Sequence, residues 1–76
     1  MVTIGERLKF FRKNLKISQD VFAWGFNISN KAYWNYENNL RQIPLNLIIK
    51  IAESYKINLN WLLLGKGSIY INDNNN

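Results

Sequence analysis

No cysteine and no histidine occur among the 76 residues. The first absence excludes a disulfide framework, a thiolate zinc site and a cysteine nucleophile. The second removes imidazole as a metal ligand and as a base near neutral pH. Acidic residues are few: five Asp and Glu stand against ten Lys and Arg, a formal net charge of +5. Those five, Glu6, Asp20, Glu37, Glu53 and Asp73, are scattered along the chain. They fall on different expected elements, so no two carboxylates share a face for acid–base work. No glycine-rich loop is present to cradle phosphate. Ser18, Ser29, Ser54 and Ser68 have no histidine to activate them, and only a lysine could stand in. The chain therefore reads as a protein that is not an enzyme, with no cofactor and no metal.

Long apolar runs are missing too. Runs such as Leu47-Ile48-Ile49 and Trp61-Leu62-Leu63-Leu64 are cut by Lys50 and Gly65, far short of the ~18 residues of a spanning helix. Glu6, Arg7 and Lys9 interrupt the segment where a secretory signal would need its apolar stretch. The expectation is a cytoplasmic protein with no membrane partner. What is present is a hydrophobic share of 47% and an aromatic share of 14%, too much for a disordered chain. The length allows one domain, whose core alone supplies only about 3–5 kcal/mol, with a second subunit as an added source of stability. The positive balance attracts polyanions, nucleic acid or an anionic membrane surface.

Apolar spacing and capping residues predict five helices. Thr3 and Glu6 form a capping box, followed by Ile4, Leu8, Phe11 and Leu15 at helical spacing. This gives α1 over 4–14, with Lys9, Arg12, Lys13 and Lys16 on its other faces. Ser18 caps α2, over 19–25, with Asp20 in the first turn. Ser29 caps α3, over 30–37, whose inward side is Tyr33 and Tyr36. Pro44 suits the first turn of α4, over 45–55, whose buried stripe reads Leu45, Ile48, Ile51, Ala52 and Tyr55. Asn58 caps α5, over 59–64, which Gly65 ends. Residues 1–67 form the domain. Residues 68–76 are expected to be a short flexible tail, in which 68–71 have strand character but no partner within the chain.

Two short helices joined by a tight turn form a helix-turn-helix pattern. Close crossing of α2 on α3 needs a small side chain, Ala23. The turn needs a residue at ease with positive φ, Asn27. The inward corners are Phe22, Phe26, Ile28, Tyr33 and Tyr36. Left outward on α3 are Asn30, Lys31, Trp34 and Asn35. Asparagine can pair bidentately with adenine, and lysine can donate to guanine or phosphate.

On these residues the chain resembles the Cro/repressor-type, or lambda-repressor-like, helix-turn-helix regulators (the XRE family). The resemblance runs over residues 4–67. It is carried by Ser18-Gln19, Phe22-Ala23, Ile28-Ser29, Tyr36-Glu37-Asn38, Ile43-Pro44, Ile51-Ala52 and Asn60-Trp61-Leu62-Leu63 in order. It implies an all-α, compact five-helix domain with its helix-turn-helix at α2 and α3, binding double-stranded operator DNA as a homodimer and acting as a repressor. It implies base contacts from Asn30, Lys31, Trp34 and Asn35, and phosphate contacts from Gln19, Ser29, Asn38 and Arg41. It also implies a structural ion pair between Arg12 and Glu37, and a dimer contact through Ile57, Leu59, Trp61 and Leu63. A phage or mobile-element repressor, a restriction-modification controller and an antitoxin all fit. A protein-binding adaptor on the same fold is the alternative from another class, with a toxin or other regulatory protein as partner. No sensing or peptidase domain is expected, so induction would need another chain or control by concentration.

Departures from that family pattern are specific. Asn27, Asn39 and Lys56 stand where glycine is usual. Tyr33 replaces a smaller aliphatic residue, and its bulk would tilt α3 or swing the phenol outward. Trp24 and Trp34 replace polar residues. Phe10, Phe11, Phe22, Phe26 and Tyr55 read as core, and Trp61 as core or dimer seam. Trp34 reads as a cap over a neighbouring helix, as a contact to sugar and thymine methyl groups, or as a protein contact. For Trp24 a partner protein is the stronger of these readings. Lys9, Lys13 and Lys16 form a solvated face or a phosphate rail.

Overall fold

A computed structural model describes residues 1–71. Among these residues it contains five helices: α1 (Ile4–Asn14), α2 (Gln19–Gly25), α3 (Asn30–Glu37), α4 (Leu45–Tyr55) and α5 (Leu59–Leu64). Each start except that of α4 is capped by the side chain expected. Thr3 and Glu6 close the capping box on α1. Ser18, Ser29 and Asn58 accept from the amides of Val21, Ala32 and Asn60. At α4 the N-cap is Pro44 itself, one place before the helix, with no side-chain cap.

α1 packs against α3 and α5, and α2 packs against α3. The core between them is Leu8 and Phe11 from α1, Phe22 and Ala23 from α2, Tyr33 from α3, Ile48 and Ile51 from α4, and Leu62 from α5. Its centre is aromatic. Phe22 lies 5.1 Å from Tyr33 and 5.2 Å from Phe26, and stacks on Tyr55 at 5.8 Å. Phe11 meets Tyr55 edge-on at 5.1 Å. Such offset and edge-on contacts add to what area burial alone supplies.

Three sequence expectations are corrected here. Phe10 is not core: it is 40% exposed and its ring leans on Trp61 at 6.4 Å. Leu45 is exposed, and Leu47 is buried in its place on α4. The two residues flank the apolar stripe on opposite margins; Leu47 lies alongside Phe26, Ile28 and Tyr36, whereas Leu45 is 64% exposed. Residues 68–71 do have a partner. The amide of Asn58 donates to the Ile69 carbonyl at 2.7 Å, and the amide of Ile71 to the Lys56 carbonyl at 2.8 Å, around an antiparallel bridge between Ile57 and Tyr70. The expected flexibility of the remaining tail, 72–76, lies outside the described residues.

The turns resolve the glycine replacements. Asn27, Asn39 and Lys56 all adopt left-handed backbone, with φ of 58°, 61° and 59°. Asparagine visits this region readily, whereas lysine is held there at a cost of about 1–2 kcal/mol. Lys16, between α1 and α2, takes the same conformation at φ 60°. Gly5 serves another purpose. A Cβ at that position would collide with the carbonyls of Tyr36 and Glu37, so its absence lets α1 lie against the end of α3. Arg7 is buried as well. Its guanidinium donates to the carbonyls of Leu62 at 2.7 Å, Leu63 at 2.9 Å and Met1 at 3.0 Å, closing the C-terminal end of α5. A cation at that end also opposes the helix dipole.

Candidate nucleic-acid interface

The turn between α2 and α3 is built on two successive carbonyls. Ala23 accepts from the amides of Phe26 at 3.0 Å and Ile28 at 3.1 Å, and Trp24 accepts from Asn27 at 3.1 Å. Ala23 itself is fully buried where the helices cross. Beyond the turn, Ser29 starts α3 and uses its hydroxyl oxygen on the Ala32 amide at 3.0 Å. Its hydroxyl hydrogen, and the first free amides of the helix, remain available to an anion.

α3 is fixed from behind by a charged network. Arg12 meets Glu37 with two parallel hydrogen bonds, Nε to Oε2 at 2.6 Å and Nη2 to Oε1 at 3.2 Å. Its remaining arm donates to the Ile17 carbonyl at 2.8 Å. Gln19 adds a hydrogen bond to Glu37 Oε1 at 2.9 Å. Burial pushes the Glu37 carboxyl up, but the bonds from its neighbours, Arg12 foremost, outweigh this and hold it below its ordinary value. The same pairing raises the Arg12 guanidinium further. Tyr33 resolves its own question: the side chain is fully buried, and the phenol turns inward toward this pair. Its hydroxyl makes no hydrogen bond to the described residues, and burial together with the Glu37 carboxylate pushes its ionisation well up.

The opposite face of α3 is open. Asn30, Lys31, Trp34 and Asn38 are exposed, and Asn35 is half-buried. At about 100° per residue, Trp34 lies between Asn30 and Lys31 around the helix. These three share one shallow surface depression with Gln19 at the start of α2. The side-chain amides of Asn30 and Asn35 make no hydrogen bond to the described residues. That of Asn38 donates to the Trp34 carbonyl at 2.9 Å. Arg41 follows in the loop after α3, exposed and without an ion pair among the described residues.

The residues expected at phosphate thus differ in their availability. Arg41 is exposed without an ion pair among the described residues, and Ser29 is exposed with only its hydroxyl hydrogen uncommitted. Gln19 and Asn38 each have one amide hydrogen engaged within the protein. On the far side of α2, Trp24 is 66% exposed, beside an exposed Val21 one turn away. Lys9, Lys13 and Lys16 are all exposed on and just after α1. The expected dimer residues divide in the same way. Ile57 and Trp61 are 1% and 6% exposed and belong to the chain's own core. Leu59 and Leu63 retain surface, and Leu59 borders an apolar groove with Ile49, Ala52, Ile57 and Ile71.

Sequence reasoning overlooked Gly5 and Arg7. Arg7 carries a readable signal, since it falls on the apolar stripe three residues after Ile4 and four before Phe11. Gly5 carries a weaker one, a glycine inside a helical pattern. The described residues hold no cluster of metal-ligating side chains and no helix long and apolar enough to cross a membrane. Among known proteins, the sequence model of one family, described as a helix-turn-helix domain, matches residues 5–68. No curated protein and no solved structure matches the chain.

Proposed function

The chain belongs to the helix-turn-helix domain family, and from that premise we propose that it is a sequence-specific, double-stranded DNA-binding transcriptional regulator acting as a dimeric repressor. The observation that carries this reading is the two-sided character of α3. Its back is locked to α1 and α2 through Glu37, while its front presents Asn30, Lys31, Trp34 and Asn35 to solvent. A helix held in this way can enter a major groove as a rigid reader, with Ser29 and Arg41 on flanking phosphates. Two copies joined through the groove at Leu59 would place two such helices about 34 Å apart on a near-palindromic site. Repression follows from occupying a promoter and excluding polymerase.

A partner-protein reading is favoured by one observation, the exposed Trp24–Val21 pair on α2. It lies on a different helix from the α3 reader, so an antitoxin-like regulator could hold DNA and a protein at once.

The test is fluorescence anisotropy of labelled duplex from the region upstream of the chain's own gene, against scrambled duplex, across a salt series. Retained preference for the upstream duplex as salt rises, with two chains per duplex at saturation, is the expected result. Equal, weak and steeply salt-dependent binding to both would reduce the finding to a basic protein meeting a polyanion.

A further inference from the structure

α3 is unusual in what it offers to a base pair. Its outward face contains no arginine, and its one cation is Lys31. The fork that most often reads guanine is therefore missing. In its place stand two asparagine side chains, Asn30 and Asn35, with amides uncommitted to the described residues. Between them projects an indole, 43% exposed and the largest group on the face. Trp34 sits in the shallow depression with Gln19, Asn30 and Lys31, so a duplex seated against α3 must meet its ring. The apolar element of the major-groove surface is the thymine C5-methyl group, and the natural partner of an asparagine amide is adenine N6 and N7.

We infer that the half-site read by α3 is A·T-rich, with Trp34 packed on a thymine methyl and Asn30 and Asn35 paired with adenines. This rests on the DNA-binding reading and specifies its ligand. Trp34 is then a specificity-determining residue: it rejects cytosine, which lacks the methyl, and uracil, which differs from thymine by that group alone. Indole Nε1 is a donor only, so it tolerates the acceptor O4 of thymine and opposes the N4 donor of cytosine. Lys31 remains for guanine or for phosphate at the edge of the site.

The experiment has two stages and uses the whole chain. Duplexes are first selected from a random library, and each thymine of the selected half-site is then replaced by deoxyuridine. The expected result is A·T pairs opposite α3 and one position per half-site where loss of the methyl weakens binding about fourfold, the worth of one buried methyl. With the Trp34→Ala protein, the same replacement should have no effect. The DNA substitution alters no protein residue, so it separates recognition from folding.

Selection of G·C pairs at the positions opposite Asn30, Trp34 and Asn35, or no deoxyuridine effect with the unaltered protein, would overturn the thymine assignment while leaving DNA binding intact. A deoxyuridine effect that persists in Trp34→Ala would overturn the role of Trp34 and assign the methyl contact to another side chain. If no sequence is enriched over random duplex, the DNA-binding reading fails and this inference fails with it.

Discussion

Gln19, the first residue of α2, donates its side-chain amide to Glu37, the last residue of α3, across 2.9 Å. The bond ties the start of the first helix of the motif to the end of the second, on a carboxylate already held by Arg12 from α1. Three helices therefore meet at one buried side chain, and the angle of the reading helix depends on it. Glu37→Ala would leave Arg12 desolvated without its partner, a loss of about 3–5 kcal/mol. Gln19→Ala removes one bond only and should cost about 1 kcal/mol. Urea denaturation midpoints order the two variants; equal, small effects would show that the network does not hold the fold.

Acid should weaken the fold through the same carboxylate. Glu37 is held below its ordinary value in the folded chain. Its contribution is therefore complete above the ordinary carboxylate range and is lost as pH falls through the depressed folded value. Melting temperature should drop across that acid window. In Glu37→Gln the drop should be shallower than in the unaltered chain. Some acid loss would remain, because Glu6 is also lowered, by hydrogen bonds from the Thr3 and Val2 amides.

The Tyr33 hydroxyl is buried without a hydrogen bond to the described residues. Removing it keeps the ring and discards the desolvation penalty, so Tyr33→Phe should be neutral or stabilising by about 1 kcal/mol. Calorimetric melting decides. A clear fall in melting temperature would mean that the phenol donates to Glu37 in solution.

Two glycines in helices should respond oppositely to alanine. A Cβ on Gly25 meets nothing within 4 Å, so Gly25→Ala should gain about 0.4–1 kcal/mol by restricting the unfolded chain. A Cβ on Gly5 collides with two carbonyls of α3, so Gly5→Ala should cost about 1–3 kcal/mol or more. Chemical denaturation of the pair checks both signs.

On DNA, Asn35→Ala should lose about 1–3 kcal/mol on the preferred duplex and relax a single base position. Arg41→Ala should weaken preferred and random duplexes alike and reduce the salt slope by about one. Anisotropy titrations at several salt concentrations separate the two. Equal losses for Asn35→Ala on both duplexes would remove it from base reading.

The helix boundaries were legible because Thr3, Ser18, Ser29 and Asn58 mark starts chemically, and because apolar residues recur at helical spacing behind them. The outward face of α3 was legible for the complementary reason, as what the inward Tyr33 and Tyr36 leave over. Marginal positions were not. Periodicity places Leu45 somewhat nearer than Leu47 to the centre of the α4 stripe, and only neighbours from elsewhere reverse that order. Pairing between residues 56–58 and 69–71 has no local signature, since it closes around an intervening helix. The engagement of Gln19 with Glu37 was hidden in the same way: a glutamine at a helix start looks free until its partner 18 residues on is in place.

The guanidinium of Arg7 reaches carbonyls 55 and 56 residues further along the chain. During synthesis, α1 is made well before Leu62 and Leu63 can emerge. Until they emerge, Arg7 must stay in water, and α1 cannot settle into its final place without desolvating an unpaired cation. α1 is thus made before α5 but completed only together with it. A nascent chain truncated within α4 should be open and protease-sensitive, and closure should come as one late event when the α5 carbonyls arrive.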